Sequence, residues 1–342
     1  MAKKLALRNK KFDSDTELMR IIAAFFVIVI HCSGTRFMSE VICNAVSRFS
    51  VPVFIILSGY YMLVRKPEAK RIFQKSAKLF AMMIAWAGIY CVYNYVCGNI
   101  VISGIFDVFR YLLTEPVHLW YIYAAITLYI FTPVLYVFHE NASEKDYLYA
   151  LLLTFVFGSV VAVAVRTGVS PLLGTVVERM KVPYLLGFIF LYMLGGFFRR
   201  FGLPERRFCF CLYTVGLMSV GVTVIGALYL PKAGLSTDLV LSFFSPLAMI
   251  PAAAFFVFVK NCFSEKTQLS GKVRALIHNL SGCTLGVYFL HPLIIFILNT
   301  FELRFFSEAP VILVVERVFV TAVLSWIITF VGKKIPLIKL LF

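Results

Sequence analysis

Long apolar runs separated by short polar connections dominate this chain. Ten runs of roughly 18–22 residues are long enough to cross a bilayer: about 18–36, 45–64, 78–97, 118–138, 147–166, 183–200, 208–230, 239–260, 278–299 and 310–331. Each predicts an α-helix, because backbone N–H and C=O groups in hydrocarbon must pair within their own segment. The expected architecture is therefore all-α: a polytopic bundle of about ten transmembrane helices, one membrane-embedded domain over residues 1–342. No internal repeat, heptad pattern, low-complexity tract or soluble domain interrupts it. Ser14 with Glu17 forms a capping-box pattern that starts the first helix near residue 15. That start, with nine further runs behind it, marks the basic stretch before it as the lead-in to a retained span rather than a cleaved signal. Two connections are long enough to carry structure. Residues 104–113 place apolar positions at helical spacing around Asp107 and Arg110, as an interfacial helix does, and residues 167–182 carry Glu178, Arg179 and Lys181. Either is placed to cover a site from outside.

Composition agrees with the pattern: 61% hydrophobic residues, 15% charged and a mean hydropathy of +0.89 describe a membrane protein. The formal charge of +16 suggests nucleic acid until the basic residues are located. Most cluster between alternate apolar runs, so the charge is topological and puts both termini in the cytoplasm, with attraction to anionic membrane lipid as a side effect. No nucleic-acid partner is implied. The eight cysteines show no paired spacing and lie mostly in apolar runs, which predicts free thiols; Cys43 and Cys97 are the pair placed for a bridge at the outer face. Metal-ligand spacing, phosphate-binding glycine loops and a Gly-x-Ser-x-Gly elbow are all absent.

The charge map assigns a depth to each intramembrane polar residue. Arg20 and His31 are eleven residues apart on the first span, three turns plus about 20°, so they share a face, with a rise of about 16 Å between them. His31, Arg48, His118, Trp120, His291, Glu316 and Arg317 fall in the outer part of their spans; Glu17, Arg20, Lys75 and Lys78 stand on the inner side. An unpaired charge at such depths costs at least a few kcal/mol, so these residues face a cavity or one another. Each also has a purely structural reading. His118 and Trp120 suit an interface belt. His291 precedes Pro292 and can bond a carbonyl freed by the kink. Glu316 and Arg317 lie about 100° apart and need partners on other helices. Lys75 and Lys78 suffice as topogenic charges, and Ser58-Gly59 as a close-packing site.

Four stretches resemble the integral-membrane acyltransferases, acyltransferase type 3. Glu17-Leu-Met-Arg20-Ile-Ile-Ala-Ala-Phe-Phe-Val-Ile-Val-Ile-His31 matches that family's opening motif, with its Arg and His separated by ten residues. Phe49-Ser-Val-Pro-Val-Phe-Ile-Ile-Leu-Ser-Gly-Tyr60 is similar to its second-span motif. His118-Leu-Trp-Tyr-Ile-Tyr-Ala-Ala-Ile-Thr-Leu-Tyr129 resembles the fourth-span signature of a subgroup, and Leu285-Gly-Val-Tyr-Phe-Leu-His-Pro292 a late His-Pro element. The resemblance implies a ten-span enzyme of the plasma membrane that moves an acyl group, commonly acetyl, from cytoplasmic acyl-CoA to a hydroxyl of a cell-envelope glycan or similar acceptor. It puts Arg20, Lys75 and Lys78 at the donor. The family's arginine pair before span 3 is replaced here by Lys75 and Lys78, which keep the charge but lack a bidentate fork. His31 is the implied catalytic centre, as base or as acylated intermediate, with Arg20, Glu17, His291 and Glu316 as catalytic partners; Arg48, Ser58, His118, Trp120 and Arg317 are the candidates on the acceptor side. No metal is implied. A second reading is a serine- or alanine-handling module, since similar ten-span domains occur fused to racemases in glycopeptide resistance. A lipid-linked sugar flippase or polymerase fits less well, because those run to twelve or more spans with larger outer loops.

Overall fold

Every apolar run carries a helix in the computed structural model, which describes residues 14–34, 37–114, 117–166, 186, 188–263, 269–303, 309–336 and 338–342. The helices are α1 (Ser14–Cys32), α2 (Met38–Ser47), α3 (Ser50–Met62), α4 (Ala69–Val96), α5 (Ile105–Thr114), α6 (Trp120–Asn141), α7 (Glu144–Phe155) and α8 (Val161–Arg166). After these come α9 (Ile189–Phe201), α10 (Arg206–Tyr229), α11 (Asp238–Leu241), α12 (Pro246–Cys262), α13 (Gly271–Gly282), α14 (Thr284–Thr300) and α15 (Pro310–Gly332). Among the described residues there is no strand. Serines start several helices by satisfying N–H groups that the first turn leaves unpaired: Ser143 Oγ accepts from Asp146 N at 3.2 Å before α7, and Ser245 Oγ from Leu247 N at 3.2 Å before α12.

Among the described residues, seven helical stretches are long and apolar enough to cross a membrane, eight if α13 and α14, bent by 57°, count as one span. These eight coincide with eight of the ten runs. The other two are 18–36 and 183–200. α1 carries Asp15, Glu17 and Arg20 within 19 residues, and α9 is described over only 13. A helix is present over the expected stretch as α5, with no buried residue and Ser103 N donating to Asp107 Oδ2 at 2.9 Å across its start. Residues 167–182 lie outside the described residues. All eight cysteines are free, so no bridge joins Cys43 to Cys97.

α1 runs through the middle of the bundle against α2, α3, α12, α13, α14 and α15. Met19, Ala23 and Ile28 are fully buried, as expected of a helix enclosed on most sides. The closest helix pair is α3 with α9, and glycine is the reason. A Cβ at Gly59 would sit 1.7 Å from Tyr192 O, and one at Gly195 1.9 Å from Ile56 O, so only glycine allows the two backbones to touch.

Candidate active site

A cavity of about 440 Å³ lies between α1, α3, α6 and α14. α1 contributes Arg20, Ala24, Val27 and His31 along one face, so the eleven-residue spacing does put both polar groups on one void. At 1.5 Å per residue they stand about 16 Å apart along the helix. His31 is an exposed residue between buried Ile30 and Cys32, and the surface it exposes is the cavity wall.

At the Arg20 end the wall is made of side chains with polar tips. Ser58 from α3, Tyr121 and Tyr129 from α6 and Thr284 from α14 line it. The Ser58 hydroxyl donates back to Phe54 O at 2.8 Å, one turn earlier, which suits a close-packed helix and no nucleophile. The Arg20 guanidinium stacks 5.3 Å from the ring centre of Tyr61, whose hydroxyl bonds Thr16. No carboxylate among the described residues forms an ion pair with Arg20.

Three histidines mark the other end: His31, His118 and His291 all line the cavity and lie within electrostatic reach of one another. The rings of His31 and His291 are 5.0 Å apart at 54°. His291 bonds through Nδ1 to Val287 O at 3.0 Å, the helix-internal partner expected of a His next to a kinking Pro. A carbonyl only accepts, so Nδ1 carries the proton and Nε2 keeps its lone pair. That Nε2 is buried without a partner, as is Nε2 of His118. His118 is held by its backbone, whose carbonyl accepts from Tyr288 OH, and by a 4.6 Å edge contact with Tyr90. Trp120 stacks between Phe188 at 5.8 Å and Phe243 at 5.6 Å, anchoring this end with apolar area as well as lining the void. Arg48 lines it from the break between α2 and α3, its guanidinium 5.0 Å over Phe243.

Five residues singled out in the sequence stand elsewhere. Glu17 Oε1 is 2.7 Å from His278 Nδ1 on α13, an ion pair when His278 is protonated, and Glu17 does not line the cavity. Lys75 and Lys78 are exposed on α4. Lys75 lies one turn before Leu79, which does line the cavity, and its Nζ is 3.5 Å from Met62 Sδ, so it stands just beyond the Arg20 end. Glu316 is buried and Arg317 half-buried on α15, and neither lines the void. The groups brought together are therefore Arg20, His31, Arg48, Ser58, His118, Trp120 and His291.

A family model described as an acyltransferase domain matches residues 13–330, nearly the whole chain. The chain belongs to the acyltransferase type 3 family. None of the curated proteins and none of the solved structures compared matches it. In this membrane acyltransferase the sequence reading missed Tyr121, Tyr129 and Tyr288, all cavity-lining. The signal was present in the spacing: Tyr121, Ala125 and Tyr129 recur every fourth residue, a stripe in which a small residue between two tyrosines leaves room for something else. Chemically, an acyltransferase needs a group that takes a proton and a place to hold the donor. The imidazoles on this void are groups that can take a proton, and the Arg20 guanidinium, with no carboxylate paired to it among the described residues, is a cation on the same void.

Proposed function

We propose that this acyltransferase moves a short acyl group, acetyl in the simplest case, from cytoplasmic acyl-CoA to a hydroxyl of an acceptor on the far side of the plasma membrane, a cell-envelope glycan being the class that fits best. The observation that carries the reading is that Arg20 and His31 line one continuous void from different depths. The phosphorylated end of the donor rests at the basic loops beside Arg20, with Lys75 and Lys78 adding charge, while its thin arm runs along the α1 face towards His31. The acceptor hydroxyl gives its proton to a His31 nitrogen as its oxygen attacks the thioester carbonyl carbon. The C–S bond then breaks, and the departing sulfur takes the proton back from the imidazolium. Tyrosine and tryptophan faces around the His31 end offer sugar rings a stacking surface.

An amino-acid carrier is the weaker reading. A zwitterion needs a counter-charge for its ammonium, and among the described residues no Asp or Glu lines the cavity. The deciding experiment supplies acetyl-labelled acetyl-CoA to one face of vesicles holding the full-length protein, with envelope glycans on the other. Label on glycan hydroxyls in the wild type, lost in His31→Ala at equal protein abundance, is expected. Equal labelling by His31→Ala removes His31 from the chemistry.

A further inference from the structure

Arg48 is built as a reader of negative charge, and no carboxylate among the described residues forms an ion pair with it. Its Nε and Nη2 both donate to Asn44 Oδ1, at 2.8 and 2.6 Å, and Asn44 Nδ2 donates in turn to Ile30 O on α1 at 3.3 Å. Stacking on Phe243 fixes the guanidinium plane. Of the five N–H groups, these bonds occupy one on Nε and one on Nη2, which leaves the Nη1–Nη2 edge, the fork that grips an oxyanion with two parallel bonds. Asp238 is the carboxylate whose field reaches Arg48, yet it forms no ion pair with it. A half-buried guanidinium with a free fork and no carboxylate in contact is placed to receive a bound oxyanion. Ile30, the anchor of Asn44, directly precedes His31, so the fork is tied to the backbone that carries the imidazole.

We infer that Arg48 forms an oxyanion subsite for the acceptor: the hydroxyl acylated at His31 belongs to a molecule that also carries a carboxylate or phosphate, and Arg48 selects for that group. This rests on the acyltransferase reading for its chemistry, but the subsite itself is testable by binding alone. The full-length protein is given acetyl-CoA and three matched probes that differ only at C6 of the sugar: methyl glucoside, methyl glucuronide and methyl glucoside 6-phosphate. The expected result is at least a tenfold preference in kcat/KM for one of the two anionic probes, the better one telling carboxylate from phosphate. Arg48→Gln is expected to erase that preference, the loss read as a rise in KM for the anionic probe relative to the neutral sugar. Arg48→Lys, which preserves charge but not the fork, is expected to restore part of it. An Arg48→Gln enzyme that loses kcat equally on all three probes overturns the subsite in favour of a role at the transition state, and so does a wild type that does not discriminate. If no probe is acylated, the shift in unfolding temperature decides: stabilisation by an anionic probe that Arg48→Gln loses and Arg20→Gln retains upholds the subsite while the transferase reading fails. Equal shifts with all three probes, or none with any, overturn the subsite.

Discussion

α1 and α15 present the same problem in opposite ways. Both are apolar helices that carry polar groups: Arg20 and His31 on one face of α1, and Glu316, Arg317, Thr321, Ser325 and Thr329 along α15. The α1 pair opens onto the cavity. The α15 groups are packed away; Thr321, Ser325 and Thr329 are 0% exposed and Glu316 4%. Cys32 Sγ lies 3.9 Å from Thr321 Oγ1, while Ser325 Oγ, Thr329 Oγ1 and Arg317 Nε are buried without a hydrogen-bond partner. A hydroxyl left unpaired in a packed interior costs about 1–3 kcal/mol, which a tight bundle tolerates. Depth in the hydrocarbon is therefore a poor guide to chemistry. Access to an internal void is the better one.

Mutations that treat the two helices as equivalent are the sharpest way to break this contrast. His31→Ala is expected to reduce acyl transfer by about 100-fold or more, the usual yield of a positioned base, with the unfolding temperature of the purified protein unchanged; a large stability loss instead would make α1 resemble α15. Arg20→Gln is expected to raise KM for acyl-CoA by about tenfold or more, the worth of a charge-assisted hydrogen bond, and to leave the acceptor KM alone. On α15 the expectation reverses. Glu316→Ala is expected to lower stability by about 1–3 kcal/mol while turnover per folded molecule holds, as measured by activity normalised to the native fraction. Ser325→Ala, which removes an unpaired hydroxyl, is expected to shift stability by less than about 1 kcal/mol in either direction.

Helix periodicity, the shared face of Arg20 and His31 and the small helix now seen as α5 were all readable from local pattern, because each depends on residues within a few turns of one another. The roles of Glu17 and Glu316 were not. Glu17 sits at a proper spacing from Arg20, yet its partner is His278, 261 residues away on α13, which packs against α1. Nothing local announces such a pairing. His118 and His291 were noticed one at a time, each with a bland explanation that survives in part: His291 does bond the turn before it, and Trp120 beside His118 does serve as an anchor. Only three-dimensional convergence turns them, with His31, into one cluster. Arg48 carried no special weight either until the break between α2 and α3 turned it towards the void.

The backbone contact at Gly59 and Gly195 has a mechanical consequence. Two helices in direct main-chain register cannot slide or part without losing that fit, so α3 and α9 form a stiff panel along one flank of the chamber. α6 meets α3 instead through rings, Phe54 and Tyr121 at 6.2 Å, and rings can change rotamer.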